Sequence, residues 1–205
     1  MQFAAHRRLD GKGIDYVPEM IHQARERSKA LEGRLLGTTL FEVGDVTALD
    51  EPADAYDRVV AVRVVINLGT WSEQRSALLA CARVVKPGGL LLLSEATLQG
   101  GTKLNAFRQE WNLPPIPMPA FNEYLDEDQV VEALAPICEL VELVNFSSSY
   151  FVGTRVLKPL LVQALGTDVD VSEPSHHWNR WWAQLPAWGD YGTQKLFVFR
   201  KPAVL

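Results

Sequence analysis

The sequence predicts an α/β protein built on a doubly wound, mostly parallel sheet with an antiparallel C-terminal end. Three observations predict it. Short apolar runs alternate with stretches of helical periodicity through the first half of the chain. Those runs are too uniformly apolar for strands with one face in water, Leu90-Leu91-Leu92-Leu93 most of all. Near the C-terminus, residues 139–151 and 194–200 alternate apolar and polar in the manner of an antiparallel pair.

The elements follow in order. Residues 12–16 read as a short strand. Pro18 suits the first turn of a helix, which Met20, Ile21, Ala24 and Leu31 continue before Gly33. Residues 38–43 form a second strand and 57–62 a third, with an apolar run reaching Leu68. Thr70-Trp71-Ser72-Glu73 has capping-box spacing, and Ala77, Leu78, Cys81, Ala82 and Val85 mark the buried face of the helix it starts. Pro87-Gly88-Gly89 stops that helix and turns into the leucine-rich strand. Residues 97–125, with Pro114, Pro115, Pro117 and Pro119, read as a long irregular excursion of the functional kind. Asp126 then caps a short helix ending near Pro136, and residues 154–165 form another. Trp178, Trp181 and Trp182 fall on one helix face with Leu185, as core or as a lid.

The 205 residues make one domain, 47% apolar and 22% charged, able to bury a core without a disulfide or metal staple. Twenty Lys and Arg against 25 Asp and Glu give a net charge of −5, a poor balance for neutralising phosphates, so no nucleic-acid partner is expected. Cys81 and Cys138 lie in apolar segments and read as reduced core residues, which suits the cytoplasm. No run of about 18 apolar residues is present, so no membrane partner is expected.

Ligands of parallel α/β sheets bind beyond the carboxyl ends of the strands, so the residues there carry the chemistry. Asp15, closing Gly13-Ile14-Asp15, can accept two hydrogen bonds from a ribose diol or be a plain surface turn. Asp45 in Gly44-Asp45-Val46 can accept from an adenine amine or, equally, sit in an ordinary turn.

In combination, Gly13-Ile14-Asp15, Pro18-Glu19-Met20-Ile21 with Ala24, Gly44-Asp45-Val46, Tyr56-Asp57-Arg58-Val59-Val60 and Val84-Val85-Lys86-Pro87-Gly88-Gly89 resemble the class I S-adenosylmethionine-dependent methyltransferases. The likeness is close over about residues 10–96 and looser beyond. It implies a Rossmann-like fold over a single domain, 1–205, with a cofactor-binding half in 1–96 and acceptor-side segments in 97–125 and 166–192. It further implies S-adenosyl-L-methionine as cofactor and a small-molecule or sugar acceptor. Asp15 would hold the ribose hydroxyls, Tyr16 and Met20 line the pocket, Asp45 bind the adenine amine, and Val46 stack or offer its N–H. Arg63 would face the methionine part or the acceptor, while Lys86-Pro87-Gly88-Gly89 is structural. Asn105, residues 114–119, Asn122-Glu123-Tyr124-Leu125 and Arg155 resemble an acceptor-side insert.

One family feature is missing. No strand running into a glycine-rich turn precedes Lys12, so the central first strand of the sheet is expected to be absent and the chain to be an N-terminally truncated form of a longer enzyme. Absence of that strand would leave its neighbours with open ladder groups, which a homo-oligomer would shield.

For proton removal from an alcohol acceptor, His176 and His177 are the paired histidines, with a solvated loop as their other reading. Glu95, at the end of the leucine-rich strand, reads either as a carboxylate pointing to the cleft or as a structural salt-bridge partner. No metal-ligand spacing surrounds the histidines. The expected function is methyl transfer, most readily at oxygen. The alternatives are a non-catalytic remnant or interaction module, and a nicotinamide-dependent oxidoreductase, which the Gly-Asp-Val and Lys-Pro-Gly-Gly motifs oppose.

Overall fold

The structure, a computed structural model, describes residues 9–166 and 177–203. The chain divides into two compact units, Met1–Asp50 and Glu51–Leu205.

The first unit is one βαβ crossover. Strand β1 (Gly11–Asp15) pairs in parallel with β2 (Thr39–Val43), Asp15 opposite Val43, and helix α1 (Pro18–Ala30) connects them. Pro18 opens α1, where its missing N–H costs no hydrogen bond. The helix is tied to β2 by the Arg25 guanidinium, which donates to the Phe41 carbonyl at 2.9 Å, and by Ser28 and Thr39, whose hydroxyls meet at 2.5 Å. A single 3-10 turn, Val46–Ala48, follows β2.

The second unit holds a four-stranded sheet made, in spatial order, of β3 (Tyr56–Val62), β4 (Val85–Ala96), β6 (Gln194–Arg200) and β5 (Glu139–Val144). Strand β3 (Tyr56–Val62) and β4 (Val85–Ala96) are parallel and joined by helix α2 (Trp71–Val84), a second βαβ crossover. The cap of α2 is as its spacing predicts: the Glu73 N–H donates to the Thr70 hydroxyl at 3.3 Å, and that hydroxyl donates to Glu73 Oε2 at 2.9 Å. The helix ends at Val84, and the Lys86-Pro87-Gly88-Gly89 turn lies inside β4, where the pairing jumps from Tyr56–Val85 to Arg58–Leu90. Gly88 has φ +77, and a Cβ on Gly89 would come within 2.9 Å of the Asp57 carbonyl, so both positions demand glycine.

Helix α3 (Leu98–Glu110), α4 (Glu127–Leu134), strand β5 (Glu139–Val144), the short α5 (Ser148–Val152), a π-helical turn (Gly153–Leu157), α6 (Lys158–Leu165), α7 (His177–Trp182) and β6 (Gln194–Arg200) complete the chain. Strand β6 runs antiparallel to both β4 and β5, the expected C-terminal arrangement. The core lies between this sheet and α2: Ala77, Leu78, Cys81 and Val84 are buried, as are Leu91, Leu93, Phe197 and Phe199 of the sheet and Val130, Ala133 and Leu134 of α4. Each fully buried phenylalanine contributes about 1.5–3 kcal/mol by leaving water. Both cysteines are buried and free; burial, then the Glu95 charge, pushes the Cys81 thiol up to about 11.

Two expectations are corrected. The irregular excursion over 97–125 begins only after α3, whose first turn is capped by the Thr97 hydroxyl accepting the Gly100 N–H at 3.0 Å. The strand expected over 139–151 stops at Val144, because three serine hydroxyls take over the local hydrogen bonding. Ser147, Ser148 and Ser149 donate to the carbonyls of Gln194, Trp188 and Pro186, each at 2.6 Å, and turn the chain into α5.

Candidate functional site

In the first unit, Asp15 and Asp45 stand at and just past the carboxyl ends of adjacent parallel strands, where such sheets bind ligands. Each aspartate is fixed by its own neighbour two residues on. Asp15 Oδ1 accepts the Val17 N–H at 2.8 Å. Asp45 Oδ1 accepts both the Thr47 hydroxyl at 2.7 Å and the Thr47 N–H at 2.8 Å, bonds that hold its carboxyl below the ordinary range. The second oxygen of each has no partner among the described residues. Tyr16 and Met20, 75% and 51% exposed, offer apolar surface in the same unit, and Val46 is half-buried.

In the second unit, the turn after β3 is braced by side chains from distant parts of the chain. Arg63 sits in the left-handed region at φ +53, a conformation uncommon for any residue other than glycine. Its N–H donates to the Ser94 carbonyl at 2.9 Å, and its carbonyl accepts Asn67 Nδ2 at 2.6 Å. Asn67 Oδ1 in turn accepts Asn122 Nδ2 at 2.7 Å. Gln74 Nε2 donates to the carbonyls of Glu123, at 2.7 Å, and Val65, at 3.3 Å.

Glu95 is the centre of this bracing, which corrects the reading of it as a carboxylate facing the cleft. It is fully buried; Oε1 accepts the N–H groups of Val64 and Val65 at 2.9 and 3.1 Å, and Oε2 faces that of Ile66 at 3.5 Å. Burial pushes its carboxyl above the ordinary range, against those N–H groups and the Arg63 charge, which pull the other way. The salt-bridge alternative is replaced as well, since the partners are backbone amides. Glu95 is a positioning residue for the turn that presents Arg63.

A cavity of about 220 Å³ opens beside this turn, within the second unit. Arg63, Asn105, Ile116, Asn122, Tyr124 and Arg155 are among the residues lining it, so the structure brings together positions spread over more than 90 residues of sequence. Asn105 is committed to the fold: its amide donates to the Ile116 carbonyl at 3.0 Å and accepts the Ile116 N–H at 2.8 Å. Arg108 likewise pins the proline loop, donating to the Pro114 carbonyl at 2.7 and 2.9 Å and to the Arg155 carbonyl. Arg155 stands in the π-helical turn, an irregularity common at functional positions. The sequence carried no signal for Asn67 and Gln74, whose importance rests entirely on partners folded against them.

His177 is exposed at the start of α7 and lines no cavity described in this unit, and His176 lies outside the described residues. Two tryptophans of α7, Trp178 and Trp182, pack on the helical segment before them. Trp178 Nε1 donates to the Gly153 carbonyl at 2.9 Å, and the Trp182 ring covers Gly153 so closely that a Cβ there would meet it at 2.0 Å. Trp181 remains 56% exposed. Among the described residues no three His, Cys, Asp or Glu side chains gather as a metal site, and no helix is long and apolar enough to cross a membrane.

Residues 1–89 match a family described as a methyltransferase domain. No curated protein sequence matches the chain. Solved structures do. The [4+2]-cyclase SpnF is 18% identical with a TM-score of 0.60, covering 99% of this chain and 70% of its own. An S-adenosylmethionine-dependent methyltransferase of Methanosarcina mazei is 14% identical with a TM-score of 0.62, covering 99% and 86%. The N-methyltransferase NodS of Bradyrhizobium japonicum, solved with S-adenosyl-L-homocysteine, is 17% identical with a TM-score of 0.50, covering 93% and 66%. At these identities the likeness establishes the fold, the Rossmann-like α/β class that the sequence predicts.

Proposed function

We propose that this chain is a class I S-adenosylmethionine-dependent methyltransferase, with S-adenosylmethionine as cofactor, that methylates a small molecule or sugar at oxygen; the methyltransferase-domain match over residues 1–89 supports the reading. When bound, the cofactor supplies an electrophilic methyl group on a sulfonium. Placing a nucleophile in line with that group demands orientation more than acid–base help.

The residues present suit an adenosine. Asp15, with one oxygen held by the Val17 N–H, keeps the other for a ribose diol. Asp45, held by Thr47, keeps one for an exocyclic amine, and Tyr16 and Met20 offer exposed apolar surface for the ring. On the acceptor side, the cavity of about 220 Å³ falls below the roughly 300–1,000 Å³ of sites for drug-sized ligands, which favours a compact acceptor. The observation that carries the reading is the pair of aspartates at the ends of adjacent parallel strands, each anchored through one oxygen only.

Calorimetric titration with S-adenosylhomocysteine tests it. Saturable binding that disappears in Asp45→Ala is the expected result. A folded chain that takes up no S-adenosylhomocysteine overturns the reading.

A further inference from the structure

The acceptor cavity carries an electrostatic imbalance that identifies the kind of molecule it holds. Two guanidinium groups, those of Arg63 and Arg155, line it, and no Asp or Glu among the described residues does. Neither guanidinium makes a salt bridge or a hydrogen bond to any described residue. The acidic group whose charge reaches Arg63, Glu95, has its carboxylate turned to the amides of Val64, Val65 and Ile66. On the other side, Arg155 adjoins a second arginine: burial, then the Arg155 charge, lowers the pKa of Arg108. Arg108 spends its donors on the carbonyls of Pro114 and Arg155, so it fixes the loop without neutralising its neighbour.

This concentration of positive charge lies in a chain of net charge −5, so it is local and built. The backbone at both arginines is unusual, left-handed at Arg63 and π-helical at Arg155. Four other side chains, Glu95, Asn67, Asn122 and Arg108, are committed to holding these two segments in place. Tyr124 adds a phenol to the polar wall; burial pushes its pKa above the ordinary value, against the pull of Arg63. Guanidinium groups match the planar geometry of carboxylates, and two of them on one cavity wall with no carboxylate partner among the described residues favour an anion.

We propose that the cavity binds the carboxylate of a small anionic acceptor, a hydroxy acid, through Arg63 and Arg155 with Tyr124 donating to the same group. This rests on the methyl-transfer reading for its second half, the hydroxyl, and stands on the cavity alone for the carboxylate. A carboxylate can also come from the methionine end of the cofactor, so the test separates the two sources.

Benzoate and its neutral isostere benzamide are titrated into the full chain, each with and without saturating S-adenosylhomocysteine, and into Arg155→Gln and Arg155→Lys. The expected result is saturable benzoate binding at least about tenfold tighter than benzamide, the worth of a charged hydrogen bond. Benzoate binding should weaken about tenfold or more in Arg155→Gln and recover in part in Arg155→Lys, while both variants bind S-adenosylhomocysteine as wild type does. Equal binding of benzoate and benzamide, or no benzoate binding by a folded chain, overturns the proposal. Displacement of benzoate by S-adenosylhomocysteine, with loss of S-adenosylhomocysteine binding in Arg155→Gln, overturns it too and assigns the arginines to the cofactor's carboxylate. Failure of S-adenosylhomocysteine to bind anywhere counts against the methyl-transfer reading and leaves the benzoate comparison to decide the subsite by itself.

Discussion

The two units place their functional groups by different means. In the first, Asp15 and Asp45 are each held by a residue two positions along, and Ile21 is the one residue buried among those described. In the second, Arg63 is presented by a turn braced across long stretches of chain: Glu95 reaches amides about 30 residues away and Gln74 a carbonyl 49 residues away. The difference teaches where binding and stability separate. A local anchor can be altered with the rest of the unit unaffected, whereas a long-range brace is part of the fold it serves.

The largest expected effect is therefore at Glu95. Glu95→Ala leaves the Val65 amide buried without its acceptor and strips the acceptor from the more exposed Val64, a loss of about 1–3 kcal/mol for the buried group. Urea unfolding should show a midpoint shift matching about 1–3 kcal/mol. Glu95→Gln, which keeps one carbonyl acceptor, should recover part of it. An unchanged midpoint in Glu95→Ala would remove the distinction between the units.

The same difference governs how much was legible in the sequence. The strand ends of the first unit, and Asp15 and Asp45 with them, follow from local motif and spacing, as does the Thr70–Glu73 cap. Helix α3 did not, because Gly100 and Gly101 resemble loop residues. Gly100 is needed for packing instead: a Cβ there would lie 2.4 Å from the Gly192 carbonyl. Glu95 stands out by its place at a strand end, but its partners are backbone amides, which have no sequence signature. Arg155 and Tyr124 are visible in the sequence only through resemblance; that they share a cavity with Arg63 depends on a π-helical turn and a proline loop pinned by Arg108, neither of which periodicity reveals.

A smaller effect of the same long-range kind is expected at Asp190. Burial opposes its charge, but Lys103, Asn145 and Lys195 outweigh that and bring its carboxyl down to about 2, from an ordinary 3.8. The folded value is the lower one, so the stabilisation is fully present above about pH 4 and is lost as pH falls toward 2. The side chain is 45% exposed, so solvent screening limits the contribution to about 1 kcal/mol. Thermal unfolding of wild type and Asp190→Asn should differ at pH 5 and converge near pH 2. A gap that stays constant across that range would show the interaction to be one of packing.

The smallest effect belongs to the first unit and tests its locality directly. Thr47→Ala removes the hydroxyl that, with the Thr47 N–H, holds the Asp45 carboxyl below its ordinary range. The Asp45 pKa, followed by carboxyl chemical shifts, should rise toward the ordinary value without reaching it, because the backbone bond remains. At pH 7 the carboxylate is ionised in both proteins, so only its orientation can alter ligand affinity. The dissociation constant for S-adenosylhomocysteine should then change by less than about threefold, the scale of one exposed hydrogen bond. The urea midpoint should stay where it is in wild type. A midpoint shift as large as that of Glu95→Ala would mean that the Asp45 anchor, for all its two-residue reach, is as much a part of its unit's fold as Glu95 is of the other.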